Sequence, residues 1–349
     1  MFRPDLPQVM EHHLDFWKLE NTEPILLLRG MKGKPSKLIP PVDKTEKWLD
    51  TGYVVARERE WLENTAFLGD ALPLVNPNLG PDIFGASFGA DIIFEKDTSY
   101  SIPFMDDDWS KELQFDSQNK WWQKMLELTN AFVEDSKGEY LVGVTDFHPG
   151  VDGLVSIRGP QNLCYDVLDQ PEVFDKCREI LLPVFKQQFE KLFQIPQKYQ
   201  TGTSNWMGLY KDVPWYVTSA DFICMLSEKQ FEELVLPEIK AEVDYLEGNT
   251  IFHLDGPQAL RHIDLLLDIP NLKGIQWVYG AGQPSAKYWL PVLKKIQAAG
   301  KTITVGLQPD DIDVIFKELD PRGLSCHFDF EMTEVEAHTV YKRIMKFYR

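Results

Sequence analysis

Cysteine is scarce: four residues in 349 (Cys164, Cys177, Cys224, Cys326), scattered and without a Cys-x-x-Cys pair. Nothing in that spacing suggests a disulfide framework, and no signal peptide or long apolar run accompanies it, so the reducing cytoplasm is the expected compartment. Positive charge is also in deficit. Lys and Arg number 36 against 54 Asp and Glu, for a formal net charge of -18. A nucleic-acid phosphate backbone or an anionic membrane surface needs clustered cations, so neither is an expected partner. Short repeats, low-complexity tracts and a recognisable interdomain linker are missing as well.

What is present is a globular balance, with 44% hydrophobic, 26% charged and 12% aromatic residues. The length suits a (β/α)8 TIM barrel with modest insertions, although one large core and two smaller ones both remain open. Residues 1–65 read as an N-terminal helical extension, a cap packed on the barrel. A helix around Trp17 and Leu19 leads to a short buried strand in Pro24-Ile-Leu-Leu-Leu-Arg29. A Gly/Pro/Lys connector spans Gly30 to Pro41, and a second helical segment runs from about Asp43 to Asn64. The barrel itself is expected over residues 66–349. Strand-like runs at 140–144, 250–253, 274–278, 302–305 and 323–326 alternate with amphipathic helices at 119–135, 172–193, 228–246, 259–267, 286–299 and 333–347.

In such a barrel the working residues stand at the carboxyl ends of strands. Asp146 and His148 follow the strand ending at Val144 and precede the Pro149-Gly150 turn; His253 and Asp255 repeat the pairing before Gly256-Pro257. Alternate residues on a strand share a face, so each pair can point one way and serve acid–base chemistry or metal ligation. The plainer alternative is that Asp146 caps a turn and Asp255 caps the next helix. Phe147, Trp206, Tyr216, Asp221, Trp277 and Tyr279 supply rings and hydrogen-bonding groups for a flat ligand, and half-buried structural aromatics are the competing reading.

Over roughly Phe67 to the C-terminus the order and spacing of Ser219-Ala-Asp221-Phe, Phe231-Glu-Glu-Leu-Val-Leu-Pro237-Glu238, Phe252-His-Leu-Asp-Gly256 and Gly274-Ile-Gln-Trp277 resemble the uroporphyrinogen-decarboxylase superfamily. The decarboxylases carry an Arg-rich segment for an acidic tetrapyrrole, whereas Pro24 to Gly33 offers only Arg29. The thiol methyltransferases use His-x-Cys for zinc, where this chain has His253-Leu-Asp255. The resemblance therefore implies the O-demethylase type, which moves the methyl group of an aryl methyl ether (guaiacol-, veratrol- or vanillate-like) onto the cobalamin of a separate corrinoid protein. A zinc spacing of that type, Glu-x14-Glu-x20-His, is matched by Glu112, Glu127 and His148. Helical periodicity, however, puts Glu127 on a polar stripe with Lys120, Gln123, Lys124, Asn130 and Glu134, so it should be solvated and remote from His148. His148, His253 and Asp255 or Asp146 are the alternative metal ligands.

The expected chemistry is proton donation to the ether oxygen by His148 or His253, each steadied by its neighbouring Asp, or Lewis-acid help from zinc. Both histidines should open into one cavity. A homodimer is an open expectation. The competing functions are methyl transfer from a methylamine or methyl thioether, a non-catalytic ligand-binding barrel, and uroporphyrinogen decarboxylation.

Overall fold

A computed structural model describes residues 2–105 and 113–348. Its strands are β1 (Ile25–Met31), β2 (Thr65–Gly69), β3 (Leu74–Val75), β4 (Asp91–Phe94), β5 (Ser99–Ile102), β6 (Leu141–Val142), β7 (Tyr216–Ser219), β8 (Thr250–Asp255), β9 (Gly274–Val278), β10 (Thr302–Leu307) and β11 (Leu324–Phe328). Seven of them form one sheet in the order β2-β1-β11-β10-β9-β8-β7, parallel throughout except for the antiparallel β1–β2 edge. A second, parallel pair joins β3 to β6 and is prolonged by a bridge from Val144 to Asn205. β4 and β5 make a small antiparallel ribbon. The protein is thus mixed α/β with a largely parallel sheet, and no helix among the described residues is long and apolar enough to cross a membrane.

β1 comes from the stretch expected to be an appended extension, yet it is an interior strand flanked by β2 and β11. The reason is compositional: Ile25 to Leu28 are all buried, and a strand apolar on both faces is stable only inside a covered sheet. The neighbouring helix Leu6–Lys18 buries Phe16 and Trp17 against it.

Most expected helices form, with local departures that have causes. Lys120–Ser136 begins where the Asn119 side chain accepts from the backbone N–H groups of Trp121 and Trp122, and it buries Trp121, Trp122, Met125, Leu128 and Phe132. The segment 228–246 is not one continuous α-helix. It passes through a π-helical turn at Phe231–Val235, because Pro237 has no N–H to offer the preceding turn. Helices at Gly150–Arg158 and Pro160–Asp169 were not anticipated, since Gly150, Gly153 and Gly159 read as turn residues.

The two faces of the main sheet bury different material. Leu26, Leu28, Phe252, Leu254 and Ile275 face the helices in the large core. On the opposite face Ile25, Leu27, Val217 and Ile251 meet Phe16, Trp17 and Trp215 in a smaller one. Along that second face the strands turn polar toward their carboxyl ends: Ile25-Leu27-Arg29, Val217-Ser219 and Ile251-His253-Asp255. Register aligns Ser219, His253, Gln276, Thr304 and Ser325 as successive neighbours across five strands. This polar row is where the apolar plug ends.

Candidate functional site

His148 lies just beyond β6, on a loop whose backbone it holds in the left-handed region at φ 43°. A residue with a Cβ pays for that conformation, so surrounding contacts must hold it there. They are two carboxylates: Nε2 is 2.9 Å from Asp146 and Nδ1 is 3.6 Å from Asp152. Burial opposes a charged ring, but Asp146 and Asp152 together overcome it and hold the His148 pKa well above its ordinary value. Next to it Gly150, at φ 66°, leaves the space that Glu238 fills; a Cβ there would sit 1.4 Å from Glu238 Oε1.

Asp152 connects this loop to β7. Its carboxylate accepts from the backbone N–H groups of Asp221 (2.9 Å) and Phe222 (3.1 Å). Burial alone would raise its pKa, yet His148 and these two donors leave it lowered. Asp221 answers in the opposite sense, pushed up to about 6 by desolvation and by the negative charge of Asp152. Its Oδ1 lies 3.8 Å from His253 Nε2.

β8 presents His253 and Asp255 on one face, both half-buried, while Leu254 between them is fully buried on the other. The Gln276 carbonyl accepts from His253 Nδ1 at 2.6 Å. In the neutral imidazole this arrangement leaves Nε2 as the lone-pair nitrogen, facing Asp221. Trp206 packs edge-on against the ring at 5.5 Å. Asp255 Oδ1 is buried with no hydrogen-bond partner. Two overlapping groups result, His148–Asp152–Asp221 and Asp221–His253–Asp255, each with ligand-type atoms within 4.8 Å of one another.

Two cavities flank the second group. The larger, about 670 Å³, is lined by Arg29, Trp61, Trp206, Gln276, His327 and Phe330 among others. The smaller, about 160 Å³, is bordered by Asp255, Trp277, Tyr279, His327 and Asp329.

The strand-end pairs expected from sequence are therefore brought together, both reaching Asp221, although neither histidine lines the 670 Å³ cavity. Six other residues need correction or placement. Phe147 and Tyr216 are core residues rather than ligand contacts: both are fully buried, their rings pack with Phe185, and the Tyr216 hydroxyl donates to the Thr145 carbonyl. Trp277 is buried against Trp289 and touches only the smaller cavity. Tyr279 is half-buried and donates to Asp329 at 3.3 Å. Glu127 is not brought to His148; it is exposed on the outer face of its helix, bonded to Thr51 and to Lys124. Its spacing partner Glu112 lies outside the described residues.

Asp152 went unread because it follows a Pro-Gly turn, which conceals that it sits one helical turn beyond His148. Arg29, Trp61, Gln276 and His327 are likewise drawn in from four separate strands or helices. Their only sequence signal was position near a strand or helix end.

The sequence matches no protein family model and no curated protein sequence. In fold it is similar to a methyltransferase from Methanosarcina mazei, with a TM-score of 0.63 over 98% of this chain and 99% of that chain at 10% identity. At that identity the likeness speaks for the fold.

Proposed function

We propose that the main sheet and the β3–β6 arc are parts of one (β/α)8 barrel of the uroporphyrinogen-decarboxylase type, and that the protein is a methyltransferase. In this reading it demethylates an aryl methyl ether and hands the methyl group to a corrinoid protein. The observation that carries the reading is the meeting of Asp221, His253 and Asp255 at the carboxyl ends of parallel strands, beside an aromatic-walled cavity. The full-length likeness in fold to a methyltransferase supports it.

Cleavage of an aryl ether gives the bonding pair to oxygen and the methyl to a nucleophile, which the partner's corrinoid supplies when bound. The chain must then stabilise a phenolate whose conjugate acid has a pKa of about 10, by analogy with tyrosine. Asp221, held partly protonated near pH 6, can pass its proton to that oxygen. His148 has both ring nitrogens engaged by carboxylates, so its part is to fix Asp152 and hence the backbone at Asp221. Trp206 offers an apolar wall to the substrate ring.

A second reading of the same site is favoured by the unpartnered Asp255 oxygen. Asp221, His253 Nε2 and Asp255 form an N/O donor set that suits zinc, with Gln276 orienting the histidine as outer partners of metal ligands commonly do. Such an ion would supply Lewis-acid help at the ether oxygen. Titration of the protein with zinc, read by calorimetry, separates the two readings. Methyl transfer from a guaiacol-like ether to cob(I)alamin, followed by its visible spectrum, tests the function itself. Absence of conversion with every ether, methylamine and thioether tried would leave a ligand-binding protein.

A further inference from the structure

Neither His148 nor His253 lines the 670 Å³ cavity, yet one residue touches both the cavity and the acidic centre. Gln276, on β9, stands in the cavity wall, and its Oε1 accepts from His253 Nδ1 at 2.6 Å. Of the polar side chains in that wall, Arg29 and His327 are half-buried and Glu331 is exposed, whereas Gln276 is only 4% exposed. Among the described residues its Nε2 donates to nothing. Thr304, its registered neighbour on β10, carries a buried hydroxyl that has no partner either, so the amide protons do not go there.

A carboxamide has an accepting end and a donating end, and its partners decide which way it faces. Here the His253 N–H fixes the oxygen toward β8 and leaves the NH2 group for the cavity. Water in the cavity can take those protons in the free protein. A ligand that displaces such water loses affinity unless it returns an acceptor at the same place. An ether oxygen does so; a thioether sulfur accepts only weakly, and a methylammonium nitrogen not at all. The apolar faces around this donor, Trp61, Trp206, Phe328 and Phe330, suit the ring that carries the oxygen.

We infer that Gln276 selects the methyl donor: its Nε2 donates to the oxygen of the methoxy group, so that the cavity favours an ether over a thioether or a hydrocarbon of like shape. The inference rests on the methyl-transfer reading for the reaction and adds to it the group that recognises the bond to be broken. As that bond breaks, the oxygen keeps the bonding pair and becomes negative. The hydrogen bond from Gln276 strengthens with that charge, so the residue that chooses the oxygen also stabilises it, while Asp221 remains the proton source.

Methoxybenzene, methylthiobenzene and ethylbenzene differ at one atom and have nearly the same shape. Calorimetry with the three on the whole protein reads the recognition without any methyl transfer. Gln276→Leu should shift the affinity of methoxybenzene, relative to each of the other two, downward by about 10-fold, the worth of one hydrogen bond to a neutral group. Gln276→Glu, ionised at pH 8, still accepts from His253 Nδ1 but offers no donor. It should therefore shift the ratios at least as far with the imidazole held in place. A glutamine that served only to orient His253 would slow methyl transfer when replaced by Leu and leave the ratios where they were. Unmoved ratios in either folded variant overturn the inference, as does a wild type that binds none of the three. Should the ratios move while no ether passes its methyl group to cob(I)alamin, the proposed reaction falls and the oxygen-reading amide stands. Methyl transfer from ethers with unmoved ratios would do the reverse.

Discussion

Asp146-Phe-His148 and His253-Leu-Asp255 are near mirror images in sequence, and the folded protein makes different things of them. His148 stands on a strained loop, clamped between Asp146 and Asp152 and kept charged. His253 stands on a regular strand, held by a neutral amide, with its second nitrogen turned toward Asp221. The difference lies in what each ring has left to give. The first has spent both nitrogens on holding neighbouring segments together, while the second keeps one for chemistry. A short motif therefore identifies residues that meet at a site without saying which of them acts there.

The largest effect should come from the residue that joins the two centres. Asp152→Asn removes an anion from His148, and it should depress methyl transfer by about 10² to 10⁴-fold while costing about 3–5 kcal/mol of stability, as breaking buried ion pairs does. Denaturant unfolding and the cob(I)alamin assay read the two consequences; an unchanged rate would mean the His148 centre has no bearing on Asp221.

The paired substitutions His148→Ala and Asp255→Asn sharpen the contrast directly. Both should lower the rate by about 10²-fold or more. Only His148→Ala should also lower the melting temperature, since it strands two carboxylates, whereas Asp255 Oδ1 has no bond to lose. Equal losses of stability would erase the distinction between a clamp and an acting group.

Beneath His148 the buried Glu238 is pushed up to about 7 by desolvation, even though the Val151 N–H favours its charged form. A folded-state pKa above the unfolded value of 4.5 means that the folded protein keeps a proton the unfolded chain sheds. The resulting stability is full below pH 4.5, wanes as pH rises, and is gone above about 7. Glu238→Gln should flatten that decline and raise stability at pH 8 by an amount on the order of 3 kcal/mol. Melting curves between pH 4 and 8 provide the check. The smallest effect belongs to Gln276→Leu, which frees the His253 ring to rotate and should cost about 10-fold in rate or zinc affinity.

Much of this was legible in the chain itself. The strand-like runs at 140–144 and 250–253 announced themselves by apolar residues, and His148, His253 and Asp255, at or just beyond their ends, are among the residues that meet around Asp221. Glu127 was readable as solvated because helix periodicity is a local property. Phe147 and Tyr216 were misread because an aromatic at a strand end looks the same whether it faces a ligand or Phe185; only packing decides. Arg29 was legible as a residue and illegible as part of a cavity wall, since Trp61, Gln276 and His327 are brought beside it only by the fold.

The interior place of β1 bears on how the chain is made. Leu27 and His327 are registered neighbours some 300 residues apart. At roughly 5–20 residues per second, about 15–60 s of synthesis separate the two strands. Throughout that interval one edge of β1 has no β11 to pair with. The nascent protein thus spends most of its time on the ribosome with an open strand edge, exposed to wrong pairing until β11 arrives.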